Sequence, residues 1–284
     1  MSKKGSAITK IEFPECLLLP IDFSPQSAIA ARYAFEFAKG TGARIRMIHV
    51  VESPYEFPSR KEEYVTHERM VAKMEMEKIR NGFLDTDGFG EVEVDIELLE
   101  GPVTNTLLSA IRENPLQLVV MGLSEKKDLN KVLFGSVTNR VLIESRGPVF
   151  AVSDQVDYRK FERIVFATDF RDQDKILIER CRELATAINA DLECIHFLTP
   201  KENPKEVYSK RADLEGQLDY KVVSQLIVAE DFVEGVSRYL KNGPPSLLVI
   251  SRYKTGLFKW LLSNASAAEI ATIARVPLIM MPGE

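Results

Sequence analysis

Residues 15–52 read "ECLLLPIDFSPQSAIAARYAFEFAKGTGARIRMIHVVE", and residues 162–199 read "ERIVFATDFRDQDKILIERCRELATAINADLECIHFLT". Each starts with an apolar run, passes through Asp-Phe, and continues as a long amphipathic pattern. Each then turns at small polar residues and ends in a second apolar run near Ile-His. Asp22 pairs with Asp169, and His49 with His196, at one constant offset. The ends repeat too. "LVVMG" at 118–122 matches "LLVIS" at 247–251, and "RGPVFAV" at 146–152 matches "RVPLIMM" at 275–281, which aligns Pro148 with Pro277. A period this long marks a duplicated folding unit. The reading is one unit over 1–153, a short charged connector "DQVDYRKF" over 154–161, and a second unit over 162–284.

Within the first unit, apolar runs at 16–21, 45–51, 92–99, 117–121 and 148–152 read as strands. They are mostly continuous Val, Ile and Leu, as strands buried on both faces require. Helical patterns fall between them, near 26–39, 61–84, 103–113 and 136–145. Ser24 and Pro25 suit the cap and first turn of the first helix. Strand–helix alternation implies right-handed crossovers, hence a parallel sheet with helices on both faces. The second unit follows the same plan, with a shorter segment over 202–214 in place of the long helix. In such α/β, doubly wound folds, ligands sit at the carboxyl ends of strands where strand order reverses. With a five-stranded order of 3-2-1-4-5, Asp22 after the first strand and Gly122 after the fourth would face one crevice.

Composition bounds the chemistry. The chain has 284 residues, 45% hydrophobic and 28% charged, with a net charge of −5. Residues 1–153 hold 19 Lys and Arg against 22 Asp and Glu, so neither unit is a basic, nucleic-acid-binding body. No apolar stretch approaches the ~20 residues of a membrane span, and "MSKKGSAITK" lacks the features of a cleaved leader, so the reading is cytoplasmic with no membrane partner. Cys16, Cys181 and Cys194 form no Cys-x-x-Cys, and His49, His67 and His196 form no ligand pair, so no metal is expected. Cys16 and Cys194 read as core cysteines, and His49 and His196 as packed, hydrogen-bonded strand residues. Met70 and Met74 share a helix face, with core packing as the default reading and a Met-rich partner surface as the alternative. "GLFKWLL" at 256–262 is unusually apolar for a loop, and reads either as a cover for the second crevice or as a contact patch. No nucleophile elbow, no Gly-Lys-[Ser/Thr] and no general base for ATP hydrolysis is recognisable, so no catalytic residue is assigned.

The stretch "VVMGLSEKKDLNKVLFGSVTNRVL", 119–142, carries the site reading. Gly122 is followed after two residues by Glu125, and after nine more by Gly135-Ser136. A helix opening at Ser136 would offer free N–H groups and its dipole to an anion. The alternative is a turn glycine and an ordinary cap. This spacing resembles the motif of the universal stress protein family: Gly, two residues, Gly, nine residues, Gly-[Ser/Thr]. "LLPIDFS" and "MIHVVE" resemble the family's first and second strands. The resemblance covers about 11–153 and 162–282, in the tandem two-domain form.

That resemblance implies the adenine nucleotide alpha hydrolase-like fold. It also implies a stress-linked regulatory or sensor protein binding ATP or another adenine nucleotide in its first domain, with Mg as a companion ion. The family also contains members that bind no nucleotide, so a purely interacting protein of the same fold is the other reading. Carried over, Pro20, Asp22 and Val50 would line the adenosine end. Met121 and Gly122 would border the nucleoside and phosphates, and Gly135, Ser136, Val137 and Thr138 would hold the phosphates. Glu125 departs from the motif: two like charges 4 Å apart at an effective dielectric near 20 repel by about 4 kcal/mol. Ser251, Lys254, Asn264 and Ala265 stand at the matching positions of the second unit, where no tight ATP binding is expected. The resemblance further implies pairing of the fifth strands, made here within one chain as a pseudo-dimer over 148–152 and 277–281, with homodimerisation and a protein partner as further expectations.

Overall fold

A computed structural model describes residues 15–52, 61–86, 88–114, 117–123, 126–128, 131–133, 136–153, 160–241, 243–252 and 276–282. In the first half, β1 (Cys16–Pro20), α1 (Pro25–Thr41), β2 (Arg44–Val51), α2 (Lys61–Thr86), β3 (Val94–Glu100), α3 (Val103–Glu113) and β4 (Leu118–Leu123) alternate. The hairpin strands β5 (Lys126–Asp128) and β6 (Lys131–Leu133), then α4 (Ser136–Glu144) and β7 (Val149–Ser153), complete it. The second half runs β8 (Arg163–Ala167), α5 (Asp174–Ile188), β9 (Asp191–Leu198), α6 (Pro204–Gly216), β10 (Val223–Val228), α7 (Phe232–Lys241), β11 (Ser246–Arg252) and β12 (Leu278–Pro282).

Ten strands form one sheet in the order β10-β9-β8-β11-β12-β7-β4-β1-β2-β3. Each half therefore has the order 3-2-1-4-5 expected of it, with parallel pairings throughout. The halves join at their fifth strands, where β12 runs antiparallel to β7 with Leu278 opposite Ala151 and Met280 opposite Val149. Each fifth strand would otherwise leave an unpaired edge, and the junction satisfies both. Val149, Phe150 and Ala151 are fully buried there, so the seam is core.

Local chemistry explains the elements. Ser24 caps α1, its side chain accepting from the Ser27 N–H, and Pro25 occupies the first turn, where a missing N–H costs nothing. Gly42 closes the helix in the left-handed conformation, φ 75°. Asn189 does the same for α5 at φ 53°. The three cysteines are buried and free. Burial pushes the Cys194 thiol up to about 12, as befits an inert core residue.

Three readings are corrected. Met70 and Met74 are exposed, at 55% and 62%, whereas Met76 is fully buried with Val65 and Ala72. The helix has room on its core face for one methionine, and the i, i+4 pair lies opposite it. Phe161, assigned to the connector, is core: its ring stacks on Tyr33 at 5.9 Å and meets Phe150 edge-on at 6.3 Å. The polar loop after β4 contains the β5–β6 hairpin, with Lys126 opposite Leu133 and Asp128 opposite Lys131. The 256–262 run lies outside the described residues.

Candidate functional site

Strand order reverses between β1 and β4, which pair directly through Leu17–Leu118 and Leu18–Val119. Their carboxyl ends open one crevice, as the doubly wound fold dictates. Pro20 ends β1, having no N–H to continue a ladder. Asp22 follows, exposed, with its Oδ1 accepting from the Ser24 N–H at 3.0 Å and the Ser24 hydroxyl at 2.5 Å. Burial pushes the Asp22 carboxyl up, but these bonds outweigh it and leave its pKa lowered. Asp22 thus stays a carboxylate at the mouth of the crevice, preorganised by the turn that starts α1.

Phe23 was not singled out from the sequence. It has φ 62°, a left-handed conformation unusual for an aromatic residue, and its ring lies 4.7 Å from His49 at 42% exposure. The repeated Asp-Phe dipeptide was its signal, because Phe170 repeats the outlier at φ 52°. His49 is held as expected, Nδ1 lying 2.7 Å from the Ile21 carbonyl. Val50 is buried at the end of β2, where its backbone faces the same end of the sheet.

On the opposite wall, Met121 is buried and Gly122 half-buried. A Cβ at Gly122 would lie 2.4 Å from the Gln26 carbonyl oxygen. The first turn of α1 therefore already demands glycine here, independently of any ligand. Ser136 is exposed at the start of α4, Val137 is half-buried, and Thr138 is buried. The Thr138 hydroxyl donates to the Gly122 carbonyl at 3.1 Å, which ties α4 to β4. The hydroxyl proton is engaged there, and the backbone N–H of Thr138 is the group left in the reading. The structure thus brings Pro20, Asp22, Val50, Met121, Gly122, Ser136, Val137 and Thr138 to one end of adjacent elements. Glu125 and Gly135 lie outside the described residues. No group of metal-ligating side chains occurs among the described residues, and no helix described is long and apolar enough to cross a membrane.

At the matching end of the second half, polar side chains pair with one another. Asp169 pairs with Arg171 at 3.1 Å. The buried His196 lies between the Thr168 carbonyl, 2.8 Å from Nδ1, and Glu202, 3.0 Å from Nε2. Glu202 also accepts from the Thr199 N–H and hydroxyl at 2.8 and 2.9 Å. Asp174, fully buried, accepts from the Thr168 hydroxyl at 2.6 Å and the Arg171 N–H at 3.1 Å. Helix α5 starts two residues later in the repeat than α1, and Ser251 stands buried at the Gly122 position. Lys254, Asn264 and Ala265 lie outside the described residues.

Residues 16–153 match the model of the Universal stress protein family. Over those residues, just under half of its length, the chain is similar to the universal stress protein family. Universal stress protein MJ0531 of Methanocaldococcus jannaschii is 28% identical over 137 residues, 48% of this chain and 80% of that one. A universal stress protein from Archaeoglobus fulgidus superposes with a TM-score of 0.68 at 15% identity, covering 95% of this chain and 98% of its own. A putative universal stress protein from Pseudomonas aeruginosa gives 0.60 at 13% identity, covering 96% and 95%. At those identities the whole-length likeness establishes the fold: two doubly wound α/β units joined in one sheet.

Proposed function

We propose that this chain is a regulatory protein whose first crevice binds ATP or another adenine nucleotide, while its second half serves structure and partner contact. One observation carries the reading: an ionised, preorganised Asp22 and the N-terminal turn of α4, with Ser136 exposed, converge at the strand-order reversal beside Gly122. A carboxylate there suits ribose hydroxyls, and free helix N–H groups suit phosphate. Val50 and Met121 supply the apolar floor for a base. Pro20 borders the ribose end, and Gly135, Val137 and Thr138 offer backbone N–H groups to the phosphates. The backbone of α4 supplies the fixed donors, and Mg would neutralise phosphate charge when bound. The reading is a binding protein, with weak ATP hydrolysis as the lesser alternative. Nucleotide binding would change the surface shown to a protein partner, in a monomer or a homodimer.

The committed Thr138 hydroxyl and the tight Gly122–Gln26 approach favour the second reading, an interaction protein that binds no nucleotide. Calorimetric titration of Mg-ATP into the parent, Glu125→Gly and Gly135→Asp separates the two. Micromolar binding by the parent, abolished in Gly135→Asp, is the expected result. Absence of binding in all three overturns the nucleotide reading. Binding only in Glu125→Gly means the natural sequence has switched the site off.

A further inference from the structure

Arg252 ends β11 in the second half and is buried, with 9% of its surface exposed. Among the described residues no carboxylate pairs with it. Its guanidinium crosses the seam between the halves instead. One nitrogen donates to the Leu142 carbonyl at 2.9 Å, and the other donates to the Gly147 carbonyl at 2.9 Å. Leu142 lies in the last turn of α4, where carbonyls have no intrahelical partner, and Ser145 already serves Val141 at 2.9 Å. Arg252 thus caps the negative end of the helix whose positive end faces the first crevice.

Burying a cation without a counter-charge is costly, and burial pulls this guanidinium down to about 10, so it stays protonated at neutral pH. The two carbonyls and the helix dipole are what hold it. Gly147 is itself fixed, because the Ser145 hydroxyl donates to its carbonyl at 3.0 Å and accepts from its N–H at 3.1 Å. At the matching position of the first half stands Leu123, buried and apolar. The guanidinium contact therefore runs one way, from the second half onto the first.

We propose that Arg252 is a positioning residue through which the second half clamps α4 and so sets how tightly the first crevice holds its anionic ligand. The inference rests on the nucleotide reading for its ligand but not for the clamp itself. Released at its carboxyl end, α4 is anchored to the crevice mainly by Thr138 and the packing of Val141 and Leu142. Its first-turn N–H groups then lose their fixed aim, and preorganised donors are what give an anion site its strength.

The test uses the full-length chain as parent, Arg252→Met and Arg252→Lys, with amide hydrogen exchange over 136–144 and calorimetric titration of Mg-ATP. In Arg252→Met, exchange in α4 should quicken about tenfold relative to β8 and β9, and Mg-ATP affinity should fall about tenfold. Arg252→Lys, which can serve one carbonyl, should recover part of both, and it keeps the test alive if the methionine variant does not fold. Unchanged α4 exchange in both variants, or equal quickening across the whole sheet, overturns the clamp. If the parent binds no Mg-ATP, the nucleotide reading fails by itself, and the exchange experiment still decides whether α4 is clamped.

Discussion

The two crevices are built from one repeated sequence and have opposite contents. In the first, Asp22 is exposed, Phe23 is 42% exposed, and α1 starts at once behind a serine cap. In the second, Phe170 is buried, Asp169 is tied to Arg171, and His196 is held between Thr168 and Glu202. Arg171 stands where the first half has the capping Ser24, and Asp174 stands where it has Ser27. With those two changes the helix starts two residues later, and Asp169, Arg171 and Asp174 pair with one another or with neighbouring groups. A crevice that gives up its family's motif need not become a void, because buried polar groups can satisfy one another.

The largest test of that contrast concerns whether the halves stand apart at all. Phe161→Ala removes a ring packed against Tyr33, Phe37 and Phe150 of the first half. A loss of about 4 kcal/mol in urea unfolding, in one cooperative transition, is expected for a buried phenylalanine. Two separated transitions, with only the second half weakened, would show that the seam does not couple them. The next test exchanges the residues at one position. Gly122→Ser should cost about 2–3 kcal/mol, since its Cβ would strike the Gln26 backbone rather than a yielding side chain. Ser251→Gly, where the helix starts later, should cost less than about 1 kcal/mol. Equal costs would mean that the helix offset is not what admits the serine.

The repeat was readable because both copies keep hydrophobic runs that only a sheet covered on both faces can absorb. The fifth-strand seam came from the family resemblance rather than from the repeat, and in the structure it pairs two edges that would otherwise be bare. Phe161 was misplaced because one aromatic residue in "DQVDYRKF" has no periodicity to mark it; only the partner rings of Tyr33 and Phe150 give it a place. Met70 and Met74 were misread for a related reason: i, i+4 spacing defines a face but not which way the face turns. At the site, residue types and chain positions were legible, while hydrogen-bond commitments were not. Thr138 looks like a free hydroxyl donor in sequence, and its partner, Gly122, lies sixteen residues earlier on another element. Arg252 gave no signal because its partners are backbone carbonyls, which any sequence would supply.

The finest test compares Asp22 with Asp169, one position in two environments. Burial pushes the Asp22 carboxyl up, but hydrogen bonds from Ser24 and Ser27 reverse this and leave its pKa lowered. Its contribution to stability is then present above the unfolded value, near 4, and is lost as pH falls through the folded one. Burial pushes Asp169 up further than the Arg171 guanidinium and His196 pull it back, so its pKa is raised. The native state then binds its proton more tightly than the unfolded chain, and stability is lost as pH rises from near 4 towards the folded value. Urea midpoints measured from about pH 3 to pH 6 for the parent, Asp22→Asn and Asp169→Asn should separate the two. The difference between parent and Asp22→Asn should grow with pH below about 4, modestly, because solvent screens an exposed carboxylate. The difference between parent and Asp169→Asn should shrink with pH above about 4. Slopes of the same sign would mean that Arg171 outweighs burial, and that the second crevice holds its aspartate as firmly ionised as the first.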